Sequence, residues 1–193
     1  MDNTILIATH NKGKTRELTS EFQKILHYKF ISLDDLAITN DCLETADTFE
    51  GNALQKANFY YNLTGYPTIA DDSGLEVEAL NNAPGVFSAR WTGEHADDAT
   101  NNVKLVEELQ KKGVHSSKAR YVCSMAYKDN FSEFAVVGSL EGIIKDTPSG
   151  TNGFSYDPYF YVNGKSIGDM TLEEKNVISH RAKAINELVK AFL

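Results

Sequence analysis

Two rhythms of apolar residues run along the chain. Residues 4–8 (TILIA) form a short β-branched run, and the stretch after it, residues 9–14 (THNKGK), is polar and turn-prone. Beyond it Leu18, Phe22, Ile25 and Leu26 recur at helical spacing, so the chain opens as strand, loop and helix. Residues 30–33 read as a second strand, and Phe49, Ala53, Leu54, Ala57, Tyr60 and Tyr61 trace one face of a second helix. A buried strand follows over residues 68–70, and Ser73-Gly74 reads as the turn that stops it. After a loop-like stretch over 81–93, Val103, Leu105, Val106 and Leu109 predict a third helix ending at Gly113. Residues 119–127 and 131–140 are aromatic and β-branched runs joined by Lys128-Asp129-Asn130, the pattern of a β-hairpin. Residues 159–162 predict a last strand. Thr171-Leu172-Glu173-Glu174 has the form of a capping box opening a short helix, and a final helix starts near Ser179 with Ile185, Leu188, Val189 and Phe192 on its apolar face. Strands alternating with helices, plus one hairpin, predict an α/β fold. The sheet is expected to be mixed and curled, with flanking helices forming two lobes around a central cleft, in one domain spanning residues 1–193.

Composition narrows the class. At 193 residues, 41% hydrophobic and 24% charged, the chain has the make-up of a folded globular domain with a real core and not of a disordered one. The net charge of −8 argues against coating a nucleic acid polymer. A local cluster of cations can still hold a small anionic ligand inside an acidic protein. Cys42 and Cys123 lie far apart with no CxxC spacing, so no disulfide framework is indicated and a reducing cytosol is the simplest setting. With no basic leader and no apolar run of membrane-span length, the expectation is a cytoplasmic protein without a membrane partner.

Four segments carry candidate chemistry. The first is Thr9, His10, Asn11, Lys12, Gly13 and Lys14. A loop entering a helix N-terminus presents backbone N–H groups and positive potential, and two lysines add full charge, which suits phosphate oxygens. It is not a Walker A loop, and a solvated basic turn capping a helix explains it as well. Next come Glu44 and Lys56, which flank or ride the second helix; Glu44 with Asp71 and Asp72 supplies carboxylates able to hold a hard cation such as Mg²⁺, although Glu, Asp and Lys near helix ends are also simply solvated. Asp71 and Asp72 themselves sit at a strand end, where α/β sheets keep ligand crevices, although Asp-Asp-Ser-Gly is also plain turn chemistry. In the third segment, Phe154, Ser155, Tyr156 and Asp157 belong to GTNGFSYDPYF, whose aromatic rings either pack inward or stack on a flat ligand; packing is favoured for Tyr156. The fourth places Ser179 as an N-cap with His180 and Arg181 in the first turn, where cations oppose the helix dipole unless an acceptor or anion faces them. With Lys175 nearby, the segments together offer what a Mg²⁺-nucleotide site needs.

Five strings occur here in order: Thr9-x-Asn11-x-x-Lys14, ADDSGLEV (70–77), PGVFSARW (84–91), GFSYDP (153–158) and Ser179-His180-Arg181. In this the chain resembles, along essentially its whole length, the non-canonical purine nucleoside triphosphate pyrophosphatases, the inosine/xanthosine triphosphate pyrophosphatase family in its bacterial branch. The resemblance implies a homodimer and Mg²⁺-dependent hydrolysis of dITP, ITP and XTP to monophosphate and pyrophosphate. It implies that the 9–14 loop, Lys56 and Lys175 contact the triphosphate, that Asp72 is general base and metal ligand, and that Glu44 helps hold the metal. It further implies that Phe154, Ser155, Tyr156, Asp157, His180 and Arg181 hold the base, with Ser73 also at the substrate. Asp71 is expected to support metal or loop. Two departures stand out. The family commonly reads E-T-G-x-T-F-x-E-N-A, whereas this chain has Ala46 and Gly51; and G-F-G-Y-D-P is here interrupted by Ser155. Alternatives are a catalytically silent purine-nucleotide regulator and a broader pyrophosphatase acting on pyrimidine triphosphates.

Overall fold

The computed structural model describes residues 3–93 and 96–192. Seven strands, β1 (Thr4–Ile7), β2 (Lys29–Ser32), β3 (Thr68–Val77), β4 (Ser116–Lys128), β5 (Glu133–Lys145), β6 (Phe160–Val162) and β7 (Lys165–Ser166), form one sheet in the order β2-β1-β3-β4-β5-β6-β7. The helices are α1 (Lys12–Ile25), α2 (Phe49–Thr64), α3 (Asp98–Lys111), α4 (Leu172–Ile178) and α5 (His180–Phe192). β1 pairs in parallel with both β2 and β3, while β6 is antiparallel to β5 and β7, so the sheet is mixed as expected.

The chain divides into two compact units. The first holds residues 1–72, 123–138 and 183–193; the second holds 73–122 and 139–182. In the first unit, strand alternation sends neighbouring residues to opposite faces. Ile5, Ile7, Ile69, Cys123 and Met125 pack with Leu18 and Phe22 of α1 and with Ile185 and Leu188 of α5. Leu6, Ala8, Ala70 and Ala126 pack instead with Ala53, Ala57 and Tyr60 of α2. The core of the second unit gathers Leu75 and Val77 of β3, Leu105 and Leu109 of α3, Tyr121 of β4, Leu140 and Ile144 of β5, and Tyr156 and Phe160.

Helix boundaries follow their caps. Thr48 accepts from the Gly51 amide at the start of α2, Gly65 in the left-handed region ends it, and Thr171 and Glu174 form the reciprocal box at α4. One sequence expectation is overturned: Ser73-Gly74 does not stop the third strand. β3 runs on to Val77, because Leu75 and Val77 are buried on either side of the less buried Glu76, and a glycine is tolerated within a strand. The hairpin strands are also longer than expected, and Phe131 lies in the connecting turn, where the Asp129 carboxylate accepts from the Phe131 and Ser132 amides.

Candidate active site

Because β3 continues, Asp71 and Asp72 are mid-strand residues, both buried, and alternation sends them to the two faces of the sheet. Asp71 receives the Lys14 ammonium of α1 at 2.7 Å. Asp72 turns to α2, where Asn52 Nδ2 donates to its Oδ2 at 3.1 Å and Lys56 Nζ lies 3.6 Å from its Oδ1. The same ammonium donates to Glu44 Oε1 at 2.9 Å. Burial pushes the Asp72 carboxyl above the usual range; Lys56 pulls it down, Glu44 pushes it up, and the balance remains a rise. For Lys56 burial acts to lower the ammonium's pKa, yet Asp72, Asp71 and Glu44 reverse that and hold it charged.

Glu44 sits in a loop that α2 pins. The Thr45 amide donates to Gln55 Oε1 and the Ala46 amide to Asn52 Oδ1. Asn52, fully buried, thus joins that loop to Asp72 through its two side-chain atoms. Sequence reasoning missed it. Its signal was a polar residue four before Lys56 on a face otherwise made of Ala53, Ala57 and Tyr60.

The 9–14 loop is more committed than its sequence suggested. Asn11 is the N-cap of α1, its Oδ1 accepting from the amides of Gly13 and Lys14, so those N–H groups already have an acceptor. Thr9 Oγ1 accepts from the Asn11 amide. His10 packs against Tyr60, whose hydroxyl lies 3.2 Å from its Nε2, and Lys12 is exposed, 3.6 Å from Asp34. Of the loop, Lys14 alone reaches the carboxylate pair.

A second group lies wholly in the second unit. Asp157, buried, accepts from Lys175 Nζ at 2.6 Å and from the Phe154 amide at 2.9 Å through Oδ2. Gly153 makes this possible: its φ is +80°, and a Cβ there would stand 2.2 Å from Asp157 Oδ2. The Lys175 ammonium also lies 4.3 Å from the centre of the Phe154 ring, which is exposed. Ser155 adopts φ 56°, the left-handed region that a glycine takes freely, and is held there by α3: its amide donates to Asp98 and its carbonyl accepts from Asn102. Tyr156 is a packing residue, as its apolar surroundings required; its hydroxyl donates to the Ser88 carbonyl at 2.8 Å. Ser88 in turn accepts from the Leu75 amide and donates to Gly85, which explains the PGVFSARW segment as an anchor for both β3 and the aromatic loop. Ser179 caps α5 by accepting from the Ala182 amide. His180 and Arg181 behind it are buried, and Arg181 Nη2 donates to Ser73 Oγ at 3.4 Å.

Among the described residues no three His, Cys, Asp or Glu side chains converge on one point. Glu44 and Asp72, both facing Lys56, offer a pair of carboxylates as oxygen donors to a cation. Two carboxylates fit an ion that keeps several waters and takes its remaining oxygens from a phosphate.

Residues 5–191 match the family model described as the Ham1 family. The chain belongs to the Ham1 family. Curated members include a dITP/XTP pyrophosphatase of Geobacter sulfurreducens, 42% identical, with 94% of this chain and 92% of that protein aligned. Another, of the same name, comes from Thermoanaerobacter sp. and is 47% identical over 95% and 93%. Among solved structures, a HAM1 protein from Coxiella burnetii superposes with a TM-score of 0.91 at 38% identity, covering 100% of this chain and 98% of that one. This Ham1 protein shares their mixed α/β architecture. Among its described residues no helix is long and apolar enough to cross a membrane.

Proposed function

We propose that this Ham1 protein hydrolyses the non-canonical purine nucleoside triphosphates dITP, ITP and XTP to monophosphate and pyrophosphate, cleansing the cytoplasmic nucleotide pool. The observation that carries the reading is Asp72, a buried carboxylate raised above its ordinary range yet fixed by Asn52 and Lys56, in a chain whose relatives bear the name of this activity. A base must be able to hold a proton at working pH, and desolvation moves Asp72 in that direction. In this mechanism Asp72 takes the proton of a water that attacks the α-phosphorus. Lys14 and Lys56, held beside Asp71 and Glu44, would offset the negative charge that gathers on the phosphates as pyrophosphate leaves. Glu44 and Asp72 would hold a Mg²⁺ ion, which when bound supplies further neutralisation of phosphate oxygens.

The second group serves the base. Inosine and xanthine carry a keto acceptor at position 6 where adenine carries an amino donor. Donors from His180, Arg181 or the 153–157 loop pair with the first and leave the second facing another donor. Phe154 offers an exposed ring for stacking, Asp157 and Lys175 hold the loop that presents it, and Ser73 stands beside Arg181. A homodimer belongs to the same reading, supported by the family likeness and checked by sedimentation equilibrium.

Pyrophosphate release from ITP, XTP, dITP, GTP, ATP and dTTP, with and without Mg²⁺, tests the proposal. Mg²⁺-dependent release confined to ITP, dITP and XTP is the expected result. Release spread over dTTP refutes the purine reading, and none from any substrate refutes the enzymatic one.

A further inference from the structure

Tyr121 of β4 contributes to none of the functions derived so far. Its side chain is buried in the core of the second unit and meets two residues of the base-binding group. Its ring stacks on the His180 imidazole with centroids 5.0 Å apart and planes 18° from parallel. Its hydroxyl donates to Asp157 Oδ1 at 3.3 Å. Behind it, Phe160 closes the stack at 4.5 Å. Burial first, and then the negative charge of Asp157, push the tyrosine's pKa far above its ordinary value, so it stays a neutral donor throughout the working pH range.

The geometry points to Tyr121 as a positioning residue for base recognition, its ring fixing the plane of His180 and its hydroxyl fixing the carboxylate of Asp157. This inference rests on the function proposed above. The physical reasoning is direct. An imidazole at the start of a helix can swing about its first two side-chain torsions, and a donor that selects a keto oxygen discriminates only while its direction is fixed. A tyrosine ring lying nearly parallel to the imidazole removes that freedom. The Asp157 carboxylate is divided in the same way: Oδ2 serves the Phe154 amide and Lys175, while Oδ1 receives Tyr121. One rigid side chain on a strand therefore ties the loop motif to the helix motif.

Calorimetric binding of inosine monophosphate, which carries the base, and of inorganic tripolyphosphate, which does not, separates positioning from general damage. Tyr121→Phe keeps the ring and loses the donor; it is expected to weaken the monophosphate about threefold. Tyr121→Leu loses both and is expected to weaken it about thirtyfold. Tripolyphosphate affinity stays within about twofold in both, since Lys14 and Lys56, the lysines proposed to meet the phosphates, are paired with Asp71 and Glu44 and not with Asp157, and Lys175 keeps its own bond to Asp157 Oδ2. In steady state the variants raise KM for ITP more than they lower kcat. Equal weakening of both ligands, or unchanged monophosphate affinity in Tyr121→Phe, overturns the inference. Should Tyr121→Leu fail to fold, Tyr121→Phe decides alone. A wild type that binds the monophosphate but releases no pyrophosphate from ITP refutes the enzymatic reading and leaves the inference to be judged on the affinities; a wild type that binds neither ligand refutes both.

Discussion

Ala46 and Gly51, two departures from the family pattern, form a coupled pair whose energetics can be worked from distances. An ideal Cβ placed on Gly51 would lie 2.6 Å from the Ala46 Cβ and 3.0 Å from Thr48 Oγ1. Carbon atoms pack comfortably at about 3.5–4.0 Å, so a side chain at 51 needs position 46 to be glycine, as the family arrangement has it. Gly51→Ala alone sets two terms against each other. Helix propensity returns about 1 kcal/mol, while overpacking against Ala46 costs about 2–3 kcal/mol. The net is a loss of about 1–2 kcal/mol. In the Ala46→Gly background the overlap with Ala46 is gone, only the 3.0 Å approach to Thr48 Oγ1 remains, and the same substitution stabilises by up to about 1 kcal/mol. The coupling energy is therefore about 2–3 kcal/mol, read from urea denaturation of the wild type, both single variants and the double variant. A value below about 0.5 kcal/mol, within ordinary additivity, refutes the steric account. The consequence reaches catalysis, because the Ala46 amide donates to Asn52, which in turn donates to Asp72. Gly51→Ala should lower kcat, and Ala46→Gly should restore it.

Asp72→Asn removes the proposed base and should lower turnover about 10²–10⁴-fold, with tripolyphosphate still binding. The same variant reports on stability. Burial raises the native Asp72 pKa above that of the unfolded chain, so its contribution to stability is fully present below about pH 3.9 and lost as pH rises through the native value. At pH 7 the ionised side chain is a liability, so without metal Asp72→Asn should melt above wild type, the gap closing as the pH falls toward 4; a gap that widens on acidification contradicts the assignment. Gly153→Ala forces a Cβ into Asp157 Oδ2 at a positive φ and should weaken inosine monophosphate binding at least tenfold while sparing tripolyphosphate; unchanged affinity would show that the loop relaxes freely. Ser155→Gly relieves about 1 kcal/mol of left-handed strain but adds about as much backbone entropy to the unfolded state, so its stability should change by less than about 1 kcal/mol. Thermal denaturation measures this, and a larger loss would give the Ser155 hydroxyl a structural role.

Much of this arrangement was legible in the residues because it rests on local signals. The caps at Thr171 and Ser179 are short-range hydrogen bonds between neighbours in sequence, and the apolar spacing of α1, α2 and α5 follows a single period. Turn chemistry misled at Ser73-Gly74, where the local preference for a bend lost to burial of Leu75 and Val77 on either side of Glu76. The bonds of Asn52 to Asp72, of Asp98 to Ser155 and of Tyr121 to Asp157 span 20, 57 and 36 residues, and no short window of sequence contains those pairs. The pairing of Lys14 with Asp71 and of Lys56 with Asp72 was likewise a matter of which face each aspartate took, which the strand's true length decided.

That alternation makes β3 intolerant of changes in length. Deleting or inserting a single residue between Thr68 and Asp71 would exchange the two aspartates between helices, handing the α1 lysine's partner to α2 and leaving the proposed base beside Lys14. It would also turn Ile69 and Ala70 toward each other's cores. A change of length at the turns after Lys128 or Gly65 leaves those faces as they are, whereas along this strand only the exchange of one side chain for another does.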